Sequence, residues 1–395
     1  MFLDLGYAPP SNAYRTKEEL KTPEIAYPLR IFVCDKCWLV QTEDFVDADE
    51  LFSSQYAYFS STSSSWLLHT ARYSDMIQKK LSLNADSFVI EVASNDGYLL
   101  KNFVEAGIPC FGIEPTDSTA NMAEKLGITV KREFFCSNLA EKLVAEGKQA
   151  DLIIGNNVYA HVPDINDFSR GLKKLLKPGG TITLEFAYLM RLIQQNAFDT
   201  VYHEHFSYLS LHAVKSIFEG TGLEIYDVDE LATHGGSLRV YGCHEEASFN
   251  TTERVYEQLQ KEEKAGLLEV KTYVHFQQKV ERVKNELMAF LVEQKMQGKS
   301  VAGYGAAAKG NTLLNYAGIK TDLLPYVCDA APSKQGNYLP GSHIPIFSPD
   351  YIKEQKPDYV LILPWNIARE VKDQLSFIFD WGGKFVTSVP EIRIF

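Results

Sequence analysis

FVIEVASNDGYLL, residues 88–100, is the stretch that decides the fold. An apolar run ends in an acid, turns through Ala-Ser-Asn-Asp-Gly, and re-enters apolar sequence. That reads as a buried strand, a tight turn and a helix start. Outward from it the pattern repeats: CFGIEP (110–115) is a strand, NMAEKLG (121–127) a helix and ADLIIGNNV (150–158) a strand. FSRGLKKLLKPGG (168–180) is a helix with its stop, and TITLEF (181–186) is a strand. Strands alternating with helices at this interval build a parallel α/β sheet. An amphipathic helix from about residue 67 leads in, and the piece through LRVYGC (238–243) adds at least one helix and one strand.

A second, smaller alternation fills 299–395: SVAGYG, GNTLLNYAG, LLPYVCD, DYVLILP and KFVTSV. Between the two units, 251–298 is rich in Glu, Lys, Gln and Leu at helical spacing, which predicts a solvated connecting helix or hairpin. Before them, Pro9, Pro10, Pro23 and Pro28 punctuate the chain, and RIFVCDKCWLVQ (30–41) reads as two short strands around a Cys-x-x-Cys turn. The Ser-rich stretch YAYFSSTSSSW (56–66) contains aromatics and is expected to be a packed loop. The predicted division is therefore 1–66, 67–245 and 246–395.

The chain carries 51 acidic against 39 basic side chains, a net charge of −12. No basic arm offsets it, which argues against a nucleic-acid partner. No apolar run approaches the ~18 residues of a membrane span, and the N-terminus lacks the layout of a signal peptide. Six cysteines, only Cys34 and Cys37 closely spaced, suit a reducing cytoplasm. A monomer is the expectation.

Three places carry chemistry. The first is the strand end Glu91 to Gly97, since ligands in open α/β sheets sit at the carboxyl ends of strands. Gly97 can bring backbone close to a ligand or take a positive φ. Glu114 closes the next strand, where an acid can accept from both ribose hydroxyls. Asn156 and Asn157 end the third, where amides can meet an amino-acid moiety. This predicts a nucleoside cofactor.

The second place is Tyr202-His203-Glu204-His205-Phe206, the densest titratable cluster. His-Glu-His lacks the i, i+4 spacing of a zinc-protease helix, so no metal is expected there. In a helix, Tyr202 and His205 would be neighbours. A histidine suits removal of a weakly acidic proton near neutral pH, and a phenol or imidazole near a ketone oxygen stabilises developing charge.

The third place is Gly303-Tyr-Gly305-Ala-Ala-Ala-Lys309-Gly310, a strand–helix turn able to hold a pyrophosphate, with Lys309 adding charge. Asp329 ends the following strand, where an acid would meet a ribose. Lys334, His343, Trp365 and Asn366 lie on loops near the same edge. Alone, this unit suggests NAD, and a nicotinamide-dependent sugar oxidoreductase is the alternative reading.

EVASNDG, FGIEP, NN and LKPGG in this order resemble the motifs of class I S-adenosylmethionine methyltransferases, with Ala93 in the place of the usual first glycine. FLDLG, Cys-x-x-Cys with WLVQ, YAYFSSTSSS, FDTVYHEHFSYLS, THGGSLRVY, GYGAAAKGNTLLNY, CDAAPSKQGNYLPGSHIPI and LPWN extend the likeness over nearly the whole chain. The sequence resembles the three-domain sugar C-methyltransferases of the tetronitrose C-3 methyltransferase type. That resemblance implies an α/β fold: a class I methyltransferase sheet, a C-terminal Rossmann-like domain and a small zinc-ribbon-like N-terminal module. It implies S-adenosylmethionine held by Glu91, Ala93, Asn95, Asp96, Gly97, Glu114, Asn156 and Asn157. A nucleotide-diphosphate deoxy-keto-sugar would be held by Gly305, Lys309, Asp329, Lys334, Trp365 and Asn366, and methylated on carbon through an enolate. His205 would be the general base, Glu204 would orient it or bind a sugar hydroxyl, and Tyr56, Tyr202 and His161 would surround the ketone. His203 has no counterpart in the pattern. An O- or N-methyltransferase of the same fold is a second alternative. Cys34 and Cys37 are half of the four-cysteine zinc site that the resemblance implies, so bound zinc is not expected.

Overall fold

A computed structural model of the chain describes residues 1–43, 45 and 60–395. β1 (Leu3–Ala8), β2 (Tyr27–Val33) and β3 (Val40–Thr42) pair antiparallel, with β2 and β3 flanking the Cys-x-x-Cys turn. The latter half of the Ser-rich stretch is not a loop. Ser60–Thr62 is a 3-10 turn, and Ser63 caps a helix, Ser64–Leu81, by accepting the Trp66 N–H at 3.3 Å. Serine serves loops and helix N-caps alike, so its abundance pointed to the wrong one of the two. Lys79 and Lys80 complement the dipole at the other end, and Ser82 takes the left-handed cap (φ 52°).

The central sheet follows: β4 (Val89–Val92), β5 (Cys110–Ile113), β6 (Thr129–Lys131), β7 (Ala150–Asn156) and β8 (Leu176–Ala187). After β9 (Ser207–Tyr208), which pairs with β3 instead, come β10 (Leu223–Leu231) and β11 (Ser237–His244). The strand order is β10-β11-β8-β7-β4-β5-β6, parallel except along β8-β11-β10. β4 is buried throughout, as expected of a strand covered on both faces. Lys177-Pro-Gly-Gly180, expected to end a helix, belongs to the opening of β8, beside a register shift against β7. The helix Ile165–Leu175 has already stopped there.

The second sheet has the order β14-β13-β12-β15-β16-β17. Its strands are β12 (Val301–Tyr304), β13 (Val327–Cys328), β14 (Ile346–Phe347), β15 (Tyr359–Ile362), β16 (Lys384–Thr387) and β17 (Arg393–Ile394). The connector is less solvated than its composition suggests. In the helix Phe276–Met296, Phe276, Val280, Val283, Leu287, Phe290 and Leu291 are buried, a stripe at helical spacing. Phe2 packs edge-on against Tyr273 at 5.1 Å and lies 5.0 Å from Phe276. One core cluster joins Phe2, Ile31 and Val40 to Phe198, Val201, Phe276, Leu313 and Leu361. The N-terminal sheet therefore shares the core of the C-terminal part, with each buried Leu, Ile or Phe worth about 1.5–3 kcal/mol. This packing holds 198–208 between the two sheets and the N-terminal module.

Candidate active site

The turn after β4 is built from left-handed residues. Ala93 (φ 57°), Asn95 (φ 49°) and Gly97 (φ 78°) all have positive φ. Glu114 anchors the turn: its carboxylate accepts from the Asn95 and Thr116 N–H groups, both at 2.9 Å. The Ser60 N–H donates to Asn95 Oδ1 at 3.0 Å and the Ser61 N–H to Asp96 Oδ2 at 3.2 Å. Gly97 is required by packing, because a Cβ there would lie 2.6 Å from the Ile128 side chain.

Beside this turn lie buried polar atoms without hydrogen-bond partners among the described residues. They are Ser94 Oγ, Asp96 Oδ1, and both the oxygen and nitrogen of the Asn156 side chain, beside the buried Glu91 carboxyl. Burial pushes the Glu91 carboxyl well up, and nearby Asp96 and Glu114 add to it; the Tyr98 phenol pulls it partly back. Burial also raises Glu114, against the pull of its two backbone donors. Uncompensated buried polar atoms are costly, and a cluster at strand ends is what a polar ligand with donors and acceptors would satisfy. Glu91, Ala93, Asn95, Asp96, Gly97 and Glu114 are thus brought together, with Asn156 on neighbouring β7. Asn157 (φ 53°) is next in sequence, its N–H donating to the Glu185 carbonyl at 2.7 Å.

Residues 201–206 are neither helix nor strand. A turn, closed by His205 N–H to the Tyr202 carbonyl at 3.0 Å, brings the two rings to 4.0 Å between centroids. The His161 and His205 rings meet edge-on at 4.5 Å. His205 Nδ1 lies 3.0 Å from the Thr200 carbonyl, and His161 Nδ1 lies 2.6 Å from the Glu204 carbonyl. A carbonyl only accepts, so both imidazoles carry the proton on Nδ1 and the lone pair on Nε2. Burial lowers His161 to about 4, partly offset by the Glu204 carbonyl. Tyr56 lies outside the described residues.

The Glu204 carboxylate is not aimed at His205. Ser11 Oγ donates to it at 3.0 Å and Asn12 Nδ2 at 3.0 Å, so it fastens the N-terminal loop beneath the histidines. Burial raises it, against those donors. His203 is separate again, donating from Nε2 to the Pro28 carbonyl at 3.1 Å.

A cleft opens beside His205. Ala160, Ala187, Leu189, Leu192 and Ala197 give it an apolar wall; Thr200, Gln195, His205 and Trp365 add polar groups. Trp365 opens the 3-10 helix Trp365–Ile367 after β15, so both α/β units line the cleft. The six residues assigned to the second sheet's ligand fall into two groups. Lys309 donates to Asn366 Oδ1 at 2.7 Å, with its ammonium 5.2 Å from the centre of the Trp365 ring. Asp329 instead accepts from the Ala306 N–H (2.7 Å) and the Ala331 N–H (2.8 Å), and Lys334 donates to the Ala306 carbonyl at 2.7 Å. These two hold the Gly305 turn itself. A Cβ on Gly305 (φ 92°) would lie 2.4 Å from Pro364, so protein packing demands this glycine. His343 is 2.7 Å from Glu24, a tie to the N-terminal loop.

Three features escaped the sequence. Glu185 and Arg239 pair across β8 and β11 at 2.6 Å, with His69 3.0 Å from the same carboxylate oxygen. Asp199 accepts from Trp365 Nε1–H at 2.8 Å. Long sequence separation hid all of these; only the odd presence of an acid inside apolar strand and loop could have flagged Glu185 and Asp199.

The Cys34–Cys37 turn closes with Trp38 N–H to the Cys34 carbonyl and Cys34 N–H to the Leu39 carbonyl, both at 3.0 Å. Backbone N–H groups of Cys37 and Lys36 lower the Cys34 thiol, and burial raises Cys37. No group of three or more metal-ligating side chains occurs among the described residues. Two thiols do not complete a tetrahedral zinc site.

Three family models match the chain: a "Putative zinc binding domain" over residues 1–52, a methyltransferase domain over 67–228, and a C-methyltransferase C-terminal domain over 232–390. C-methyltransferase NovU of Streptomyces niveus is 35% identical over 371 residues, 94% of this chain and 88% of that protein. Among solved structures, an S-adenosylmethionine-dependent methyltransferase from Anabaena variabilis is 17% identical, covering 45% of this chain and 85% of its own, with a TM-score of 0.37. Magnesium protoporphyrin IX methyltransferase from Synechocystis, with bound S-adenosylmethionine, is 16% identical, covering 44% and 79%, with a TM-score of 0.33.

Proposed function

The chain belongs to the C-methyltransferase family, S-adenosylmethionine-dependent enzymes, and from that premise we propose that it methylates the carbon beside the ketone of a nucleoside-diphosphate-linked deoxy-keto-sugar. The observation that carries this reading is the His205 imidazole. It stands on the cleft wall, its proton fixed on Nδ1 by the Thr200 carbonyl, which makes Nε2 its basic nitrogen. Oxygen or nitrogen acceptors need no such base for a weakly acidic C–H bond.

Bound S-adenosylmethionine supplies an electrophilic methyl group on sulfur. Asp96 Oδ1 and the Asn156 side chain, without partners among the described residues, would fit its charged amino-acid end beside buried Glu91, and Glu114, whose two oxygens accept from backbone, shapes the turn that would hold it. His205 Nε2 removes the proton from the sugar carbon next to the ketone. The C–H electron pair becomes an enolate, whose oxygen the Tyr202 phenol, its ring packed against that of His205, would stabilise. Burial keeps His161 neutral at pH 7 with its proton given to the Glu204 carbonyl, so it has none for the enolate and instead packs edge-on against His205. The enolate carbon would then take the methyl group as the methyl–sulfur bond breaks and its electron pair returns to sulfur, giving S-adenosylhomocysteine, and the proton leaves from His205 to solvent.

The apolar wall of Ala160, Ala187, Leu189, Leu192 and Ala197 fits a sugar face lacking hydroxyls. Lys309, in the helix Ala308–Ala317, and Asn366, beside Trp365, are the groups of the C-terminal unit that would meet the rest of a nucleotide-linked acceptor. The test uses S-adenosylmethionine and a thymidine-diphosphate-linked keto-deoxysugar in deuterated water. Carbon methylation, with deuterium exchange at the acceptor carbon that His205→Gln abolishes, is expected. Methyl transfer to oxygen without exchange would overturn the reading.

A further inference from the structure

Asp199 sits in the 3-10 helix Phe198–Thr200, fully buried, and is joined to the C-terminal unit by its bond from Trp365 Nε1–H. The Lys309 charge and the backbone N–H groups of Asp199 and Thr200 also act on this carboxylate. A buried carboxylate is a poor choice for mere adhesion, since an apolar or amide side chain would fill the space at less cost. What distinguishes the position is its neighbour. The carbonyl of Thr200, the next residue, is the group that accepts from His205 Nδ1–H.

Trp365 is itself clamped. Gly235 lies so close that a Cβ there would be 3.2 Å from the indole, and Lys309 sits over the ring while donating to Asn366. A second cross-link, Thr312 Oγ1 to the Val201 carbonyl at 2.8 Å, grips the same segment one residue beyond Thr200. The carbonyl that sets the His205 tautomer is therefore bracketed by two bonds to the C-terminal unit.

We propose that Asp199 is a positioning residue: through Phe198–Thr200 it ties the orientation of the His205 imidazole to Trp365 of the C-terminal unit. Placement of the base then depends on the same tryptophan that lines the acceptor cleft. The kinetic side rests on the reading of His205 as the base; the geometric side does not.

The test uses full-length protein labelled with 15N-histidine, the His205 signals being assigned with His205→Gln. Wild type should show His205 as the Nδ1–H tautomer. Asp199→Ala should give mixed tautomers, and Asp199→Asn, whose amide oxygen still accepts from the indole, should restore the single one. Trp365→Phe removes the same bond from the other domain and should reproduce the Ala variant. A misplaced base should lower kcat about 10- to 100-fold in Asp199→Ala with KM for S-adenosylmethionine unchanged. The proposal is overturned if Asp199→Ala and Trp365→Phe lower the melting temperature but leave the His205 tautomer as in wild type. If the tautomer changes while His205→Gln keeps full turnover, the latch stands and the base assignment fails.

Discussion

At the scale of single residues, the donor turn shows how a departure from a familiar pattern is accommodated. Ala93 occupies the left-handed region (φ 57°), where a Cβ costs about 1–2 kcal/mol. Ala93→Gly should relieve that strain, offset in part by the greater freedom glycine gives the unfolded chain. The expected net is a gain of up to about 1 kcal/mol in denaturant unfolding; a loss of stability would show that the Ala93 methyl makes a contact worth more than its strain. Gly97→Ala should do the reverse. Its Cβ would meet Ile128 at 2.6 Å, and Ala123 Cα and Cβ at 3.1 Å, in a backbone conformation of φ 78°. Binding of S-adenosylhomocysteine, followed by calorimetry, should fall at least tenfold, about 1.4 kcal/mol; an unchanged affinity would place the cofactor elsewhere.

At the scale of elements, the helix Ser64–Leu81 does more than cover the sheet. Its cap, Ser63, adjoins Ser60 and Ser61, which clasp Asn95 and Asp96, and its first turns carry Trp66 and His69 to the Glu185–Arg239 pair. Ser63→Ala should cost about 1 kcal/mol of stability and weaken donor binding, because fraying this end releases the clasp. Unfolding with and without S-adenosylhomocysteine separates the two effects; equal losses in both states would mean that the cap does not serve the donor turn. This element also shows where sequence reading stops. The strand ends at Glu91, Glu114 and Asn156 were legible because apolar runs ending in polar residues have a local cause, burial of the strand. The Tyr202–His205 pairing was legible as proximity, though a turn rather than a helix produces it. Glu204 was legible as a site residue but not in its bonds, since Ser11 and Asn12 lie 193 and 192 residues away in sequence. Asp329 had the right spacing for a ribose, yet both its oxygens accept from nearby backbone. Spacing reports which strand end a side chain reaches, not whether a loop has already taken it.

At the scale of the whole molecule, the shared core makes the active segment the meeting point of all three parts. Residues 198–208 contact the N-terminal loop through Glu204, the C-terminal unit through Asp199 and Val201, and β3 through β9. Stability should therefore depend on the titration of groups buried there. His161 is held down to about 4 by burial, from an ordinary value of 6.5. Between those values the unfolded chain binds the proton more readily, so His161 makes stability rise with pH and fall on acidification from about 6.5 to 4, by up to about 3 kcal/mol. Burial also lowers His203, which works in the same direction. Asp199 opposes them. Burial raises it from 3.8 to about 6, against the pull of the Lys309 charge, so the folded state holds its proton longer and stability falls as pH rises across that window. The two contributions can be separated. His161→Asn keeps a donor for the Glu204 carbonyl but cannot charge, so its stability should decline less steeply between pH 6.5 and 4 than that of wild type. Asp199→Asn removes the opposing contribution, so its stability should decline more steeply between pH 6 and 4. Urea unfolding at half-unit pH intervals measures both slopes. Parallel curves for all three proteins would mean that this segment opens to water before the rest unfolds, and that the three parts are not joined there into one cooperative unit.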